Sequence, residues 1–482
     1  MINRLKNFLF TNSSIKQAVL KNTFWLFIGE IFGRIIKLGL VVYATRLLGA
    51  EGWGAFSYGL AFVSLFYIFA DIGINIFVTR ELSKEKTDQW EYIPSAFILK
   101  VSLLLLSFIV SIILIPKLGS KVIELKIILA IALFNFSESL REFALSINRA
   151  FQRMEREALV KIVAGGATAA LGIYLLSTYS TPLSLATAYA GGSIIASVAS
   201  LWTLPSEFRK VRWTISWSKI KTIFIFAWPF IATVIFSTAL VTVDSIMLGN
   251  MKSTTEVGLY TAAQRIIQFL AIIPIFIGIS LFPIMSKNDP ETLRTFFEKA
   301  MVIVFALAIP IAIGGLFLSQ QLMLTIFGPS FIGGGLVLGI LMFVVFADFP
   351  FIILNNVISI KNLQRKFIIS TIIGLVLNIA LNIYLIPLYG AVGAAISTVA
   401  AQLLIMIINW QILKIFFSFT VIPKLWRISL CTIIMAIAVA LCTTFGSPII
   451  VSIIVAIIVY TSMLYLLKEP ALAQILSIIK RQ

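Results

Sequence analysis

The chain of 482 residues has no histidine. That absence removes imidazole acid–base catalysis, histidine metal ligation and histidine proton relays together. Cysteine is nearly absent too. Cys431 and Cys442 share one apolar stretch, which points away from a disulfide framework. Charged residues make up only 12% of the chain, about half of the ~25% usual in soluble domains. Acidic residues are the scarcer sign, 20 against 38 basic, for a net charge of +18. Long polar stretches are missing as well, so no sizeable soluble domain fits between the apolar runs. The basic N-terminal segment MINRLKNFLFTNSSIKQAVLKN has no small-residue cleavage site and reads as an interfacial lead-in, not a signal peptide.

What is present is apolar. Sixty per cent of the residues are hydrophobic and the mean hydropathy is +1.04. Segments of about 20 apolar residues are long enough to cross a bilayer as helices, and no barrel-type alternation occurs. The expected fold is an all-α polytopic membrane protein. Fourteen spans are expected, near 22–46, 53–78, 92–115, 123–145, 157–177, 183–204, 219–248, 257–285, 295–318, 335–358, 365–386, 390–413, 425–445 and 448–468. With the N-terminus inside, only Arg46, Lys117, Lys121, Lys126 and Lys252 fall in outer segments. Arg34, Lys37, Lys100 and Arg265 fall inside spans, and the other 29 of the 38 basic residues, Lys161 among them, are cytoplasmic. This asymmetry orients the chain with both termini in the cytoplasm. The cytoplasmic excess meets anionic lipid headgroups, and the charge gives no reason to invoke nucleic acid.

The chain also repeats. Tyr174 and Tyr179 match Tyr384 and Tyr389 at one offset of 210, and LLGAEGWGAF (47–56) resembles MLGNMKSTTEVGLY (247–260). Spans 1–6 therefore look like spans 7–12 in the same orientation, a pattern suited to a transporter of two rocking halves. The division expected is a cytoplasmic lead-in (1–21), an N-lobe (22–204), a cytoplasmic linker (205–218), a C-lobe (219–413), and a C-terminal segment (414–482) with two extra helices and a tail.

Charges inside spans are costly and mark functional positions or compensating pairs. Glu30, Arg34 and Lys37 stand at i, i+4 and i+7 on one face of the first span. Glu30 can pair with Arg34, which leaves Lys37 over. Arg34 lies roughly 15 Å deep at 1.5 Å per residue. Arg265 sits in the eighth span and Lys100 in the third. A guanidinium binds phosphate oxygens bidentately and an ammonium acts as a point charge, so Arg34, Lys37, Arg265 and Lys100 are the candidate anion site. Lys100 also has the option of snorkelling to the cytoplasmic headgroups. Asp71 and Glu138 lie toward the cytoplasmic ends of the second and fourth spans. They are candidates for an inner gate closed by Arg141, Arg149 or loop cations, or simply solvated ends. Asp348 precedes Pro350 and is read as satisfying the backbone disturbed there. Asp244 in the seventh span, Asn378 and Asn382 in the eleventh and Thr398 in the twelfth carry hard oxygens of the kind a small cation takes. Interhelical hydrogen bonding is the alternative.

RLLGAEGWGAFSYGLAFVSLFYIFADIGI (46–74), VDSIMLGNMKSTTEVGLYTAAQRI (243–266), IFGPSFIGGGLVLGIL (326–341) and LNIYLIPLYGAVGAAISTVAAQ (381–402) resemble the polysaccharide and oligosaccharide-lipid flippases of the multidrug/oligosaccharidyl-lipid/polysaccharide superfamily. The resemblance covers most of the chain in order. It implies two six-helix lobes forming a V around a central cavity. It also implies movement of an undecaprenyl- or dolichyl-phosphate-linked oligosaccharide from the cytoplasmic to the outer leaflet of the plasma (inner) membrane, for O-antigen-like or other cell-envelope polysaccharide. Related lipid-II flippases are associated with a sodium site from helices 7, 11 and 12, which Asp244, Asn378, Asn382 and Thr398 resemble. Asn382 is an amide where that comparison leads one to expect a carboxylate. The partners implied are the lipid-linked glycan and membrane lipids, with a monomer working beside glycan-assembly membrane proteins, no catalytic residues and no cofactor beyond sodium. The alternatives are a drug/cation antiporter of the same superfamily, which would favour a carboxylate-dominated N-lobe cavity, and a membrane glycan polymerase or ligase. The latter generally needs a long outer loop with catalytic groups; the longest here, around 319–334, has no Lys, Arg, Asp or Glu.

Overall fold

The computed structural model describes residues 15–84, 89–118, 124–287, 289–361, 363–416 and 418–470. Every regular element among them is helical. Eleven helices are long and apolar enough to cross a membrane, or up to twelve if one bent pair near the N-terminus forms a single span. The protein is an all-helical, multi-pass membrane protein. It divides into two compact units, residues 1–242 and 243–482.

In the first unit, α1 runs over Ile15–Tyr67 and breaks at Gly49, whose φ of 66° is non-helical. A single 3₁₀ turn (Ile68–Ala70) follows, then α2 (Ile74–Leu82), bent by 46° from the helix before it. Gly73, at φ 88°, makes the bend possible, because a side chain there would be strained. The remaining helices are α3 (Tyr92–Leu118), α4 (Leu125–Ala150), α5 (Met154–Thr178), α6 (Pro182–Trp202) and the start of α7 (Trp217–Met251). Helix α4 is not among the eleven apolar spans, because Glu138, Arg141 and Glu142 interrupt its hydropathy. Local chemistry sets several boundaries. The Thr181 hydroxyl caps α6 by accepting from the Ser184 N–H at 3.2 Å, with Pro182 in the first turn. The start of α7 is tied to α3 by the Ser216 N–H, which donates to Ser95 Oγ at 3.1 Å, and to α2 by Phe226 against Phe77.

Helices α1 and α5 approach closely because glycine faces glycine or alanine. A Cβ on Gly29 would fall 2.6 Å from Ala158 Cα, and one on Gly165 would fall 3.6 Å from Gly33 Cα. Small residues four apart are a recurrent means of close helix contact in membranes.

The second unit takes the end of α7, then α8 (Thr254–Leu270), α9 (Ile272–Lys287), α10 (Pro290–Phe327), α11 (Gly334–Ile360), α12 (Gln364–Tyr389), α13 (Ala391–Phe416), α14 (Trp426–Thr444) and α15 (Ile449–Leu466). The expected span 257–285 is thus two helices meeting at Ala271. The loop expected at 319–334 is mostly helix, since α10 continues to Phe327 and only Gly328–Gly333, including one 3₁₀ turn, separates it from α11. Gly390 joins α12 to α13 at φ 58°, and a Cβ there would lie 2.6 Å from Glu256 Oε2. The space is taken by a bond: the Ala391 N–H donates to that oxygen at 2.6 Å, so a carboxylate from α8 caps α13. On the other side of the unit, the Tyr460 hydroxyl donates to Ala306 O at 2.6 Å and ties α15 to α10.

Candidate functional site

Among the described residues, most of the candidate site residues fall in three charged or polar constellations. The first is a ladder of alternating charge in the first unit. Arg34 donates from Nε to Glu30 Oε1 at 2.7 Å. Glu30 Oε2 accepts from Lys161 at 3.0 Å, and Lys161 lies 3.1 Å from Glu157. Glu157 accepts from Arg149 at 2.8 Å, and Arg149 also donates to Glu142 at 2.8 Å. Glu142 lies 3.3 Å from Arg141, which pairs with Glu138. Eight residues of alternating sign therefore connect α1, α5 and α4, and their formal charges cancel. The close approach at Gly29 brings Glu30 within reach of Lys161. Burial within the ladder is uneven: Glu157 and Arg141 are almost fully covered, while the side chain of Arg34 is 37% exposed.

The ladder corrects two expectations. Glu30 bridges two cations, not one, because Lys161 of α5, counted from sequence only among the cytoplasmic charges, reaches its second oxygen. Arg141 and Arg149 serve Glu138, Glu142 and Glu157, so neither is the partner of Asp71. Lys37, one turn beyond Arg34, is half-buried on α1.

The second constellation contains Asp71 and Lys100. Lys100 is fully buried and its Nζ lies 3.1 Å from Asp71 Oδ1. The pairing replaces the snorkelling option for Lys100: its ammonium is held inward by a carboxylate from the bend between α1 and α2. Asn75 Nδ2 donates to the other oxygen of Asp71 at 2.7 Å. Asp71 itself is 40% exposed and lines a cleft of about 270 Å³ with Ser64, Tyr67, Gly73 and Thr238. Glu138, the second gate candidate, pairs with Arg141 on its own helix and approaches Ser193 Oγ of α6 at 3.4 Å.

The third constellation belongs to the second unit. Asp244, on the last turns of α7, is fully buried. Its Oδ1 accepts from Asn378 Nδ2 at 3.0 Å and Asn382 Nδ2 at 2.6 Å. Its Oδ2 accepts from the Tyr260 hydroxyl at 2.7 Å and the Thr398 hydroxyl at 2.8 Å. The four residues named from sequence thus converge, and Tyr260 of α8 joins them. Among the described residues no group of three or more Asp, Glu, Cys or His side chains could hold a metal. The oxygen set here is one carboxylate, two amides and two hydroxyls. Arg265, on the same helix as Tyr260, donates to Gln268 Oε1 at 3.0 Å. None of the hydrogen bonds among the described residues uses the Asp348 carboxylate, so it does not serve the backbone before Pro350 as expected.

Sequence reasoning misses the roles of Lys161, Glu157, Glu142 and Tyr260, and names Arg149 only as a gate cation. Glu157 and Lys161 stand at i, i+4 at the head of an apolar run, the same signal that marked Glu30 and Arg34. Tyr260 aligns with Phe56 in the internal repeat, a ring for a ring, and a hydroxyl is easily overlooked in such a match.

The family described as polysaccharide biosynthesis protein matches residues 19–289. The chain belongs to this family. It is 25% identical over 381 residues to a protein of Haloferax volcanii named "Probable low-salt glycan biosynthesis flippase Agl15", covering 77% of this chain and 79% of that one. It is 24% identical over 412 residues to the capsular polysaccharide biosynthesis protein CapF of Staphylococcus aureus, covering 82% and 99%. In fold, it is similar to the lipid II flippase MurJ in an inward closed conformation, with a TM-score of 0.75, 17% identity, and 91% and 97% of the two chains covered. A multidrug resistance MATE family transporter in an inward-facing conformation gives 0.64 at 14% identity, with 82% and 98% covered.

Proposed function

We propose that this protein is a flippase that moves a lipid-linked oligosaccharide, carried on an undecaprenyl- or dolichyl-phosphate type lipid, from the cytoplasmic to the outer leaflet for cell-surface polysaccharide biosynthesis. The observation that carries the reading is the likeness, over about four-fifths of the chain, to proteins named for glycan flipping and capsule formation. In this reading the chain crosses the plasma (inner) membrane fourteen times, with both termini cytoplasmic. α4 and the two parts of α1 are crossings, and two six-helix lobes alternate access around a cavity. The protein transports and does not catalyse, and it works as a monomer beside glycan-assembly membrane proteins.

The cargo carries fixed negative charge at its phosphate. Arg34 supports its recognition: it is the exposed, cationic end of a ladder whose formal charges cancel. An arriving phosphate can share the guanidinium with Glu30 without stranding any buried charge, because Glu30 keeps Lys161. Lys37 and Arg265 complete the anion site. Lys100 acts from behind Asp71, the carboxylate that the 270 Å³ cleft exposes; opening the Asp71–Lys100 pair, and the Glu138–Arg141 pair, would accompany gate movement.

The Asp244 cluster is proposed as the coupling-ion site. A sodium ion moving down its gradient would supply the driving free energy. Asp244, Asn378, Asn382 and Thr398 offer hard oxygens, and one polar atom is left over: Asn382 Oδ1 is buried and has no donor among the described residues. An acceptor stranded beside a carboxylate suits a monovalent cation.

Removing the gene and following lipid-linked glycans tests the function. Accumulation of a lipid-linked oligosaccharide with loss of its surface polymer is expected. Unchanged glycan pools with raised sensitivity to cationic drugs would instead favour an antiporter.

A further inference from the structure

The hydroxyl side of the Asp244 cluster has more acceptors than protons. The Tyr260 hydroxyl has one proton and two acceptors in reach: Asp244 Oδ2 at 2.7 Å and Thr398 Oγ1 at 2.9 Å. The Thr398 hydroxyl likewise has one proton and two acceptors: Asp244 Oδ2 at 2.8 Å and Ala394 O, one turn back on α13, at 2.9 Å. These distances allow two end arrangements with the same atoms and the same protons. In one, both hydroxyls donate to Asp244 Oδ2. In the other, Tyr260 donates to Thr398, Thr398 donates to Ala394 O, and Asp244 Oδ2 is left with its lone pairs free. Tyr260 is fully buried and Thr398 nearly so, so no water is needed for the exchange.

We propose that Tyr260 and Thr398 form a two-position hydroxyl switch that blocks Asp244 when no cation is bound and uncovers it when one binds. This rests on the cation reading of the cluster and adds to it. Tyr260 is a positioning residue and a competitor of the cation for Asp244 Oδ2, not a ligand. The switch lets a fully buried carboxylate remain hydrogen-bonded in both states, which burial otherwise demands. Uncovering the carboxylate takes two O–H rotations and no change in protonation.

The internal repeat indicates that the fold itself does not require this chain of hydroxyls. Aligned through Gly54 and Gly258, Phe56 stands where Tyr260 does. Aligned through Gly49 and Gly249, Ala44 stands where Asp244 does. Thr168 and Gly172 occupy the positions of Asn378 and Asn382. In the first unit these positions pack as plain core: Ala44 and Phe56 are buried, Phe56 lies 5.1 Å from the Tyr189 ring, and Leu40 fills the space beside Gly172. The same helices thus pack without carboxylate or phenol, and the polar set appears only in the second unit.

The test uses the purified full chain in detergent. Thermal melting is measured against sodium chloride, with choline chloride holding ionic strength constant. The parent is expected to gain stability with sodium, and Asp244→Asn to lose that gain. Tyr260→Phe removes the competitor. It should melt lower in choline and reach half-saturation at about tenfold less sodium, since the cation-free state loses a hydrogen bond to a charged group and the cation-bound state only the weaker one to Thr398. Thr398→Val removes the acceptor that Tyr260 needs in order to leave Asp244, so it should bind sodium more weakly. Opposite signs for the two variants support the switch. Weaker sodium response in both would make Tyr260 a ligand and overturn it. Equal destabilisation of Tyr260→Phe with and without sodium would make the tyrosine structural and also overturn it. A parent that melts identically in sodium and choline would remove the cation reading itself.

Discussion

Glu30 on α1 and Lys161 on α5 meet at 3.0 Å, and the contact exists because Gly29 leaves no Cβ between the two helices. It turns a local i, i+4 pair into the first rung of a ladder reaching α4. Glu30→Gln therefore removes a partner from two cations at once. The expected cost is about 1–2 kcal/mol, less than for a fully buried pair because Arg34 and Lys161 are partly exposed. Melting of the purified protein would show it, and Glu30→Gln with Lys161→Met should recover part of the loss. Additive losses in the double variant would mean that the two side chains do not interact.

Helix approach at Gly29 can be tested separately from charge. Gly29→Val places branched carbons against the Ala158 backbone and should cost about 1–3 kcal/mol or more by overpacking. Gly39→Ala, where an added Cβ meets nothing within 4 Å, is the control and should be close to neutral. If both variants melt like the parent, α1 and α5 are not in the contact described here.

Lys100 depends on Asp71. Because the ammonium is fully buried, Asp71→Asn leaves a cation without its counter-charge and should destabilise by about 3 kcal/mol. Pairing it with Lys100→Met should restore most of that loss. Failure of the second substitution to rescue would point to a separate role for Asp71 at the bend before α2.

Much of this was legible in the sequence, for identifiable reasons. Apolar runs of bilayer length gave the helices, and spacing gave Glu30 with Arg34. Residue type and resemblance singled out Asp244, Asn378, Asn382 and Thr398, which the fold gathers on one carboxylate. Long-range partners were hidden. Nothing in the neighbourhood of Asp71 indicates a lysine on α3, and the bend at Gly73 interrupts no hydropathy. Lys161 sits near a helix start where positive charge is ordinarily cytoplasmic, so its inward pairing went unread. α10 extends past the expected end of its span because Gln320 and Gln321 read as loop, although they continue the helix to Phe327.

The central claim is that the protein carries a lipid-linked glycan across the bilayer by holding its phosphate at Arg34. The most direct measurement reconstitutes the purified protein into liposomes containing a lipid-pyrophosphate oligosaccharide and adds a glycosidase to the outside only. The account predicts that the parent exposes the inner-leaflet pool to cleavage. Arg34→Ala, although it folds and incorporates equally, should leave that pool protected, and Arg34→Lys should act only in part because the planar fork is lost. Cleavage of the inner pool by Arg34→Ala at the parent's rate would contradict it.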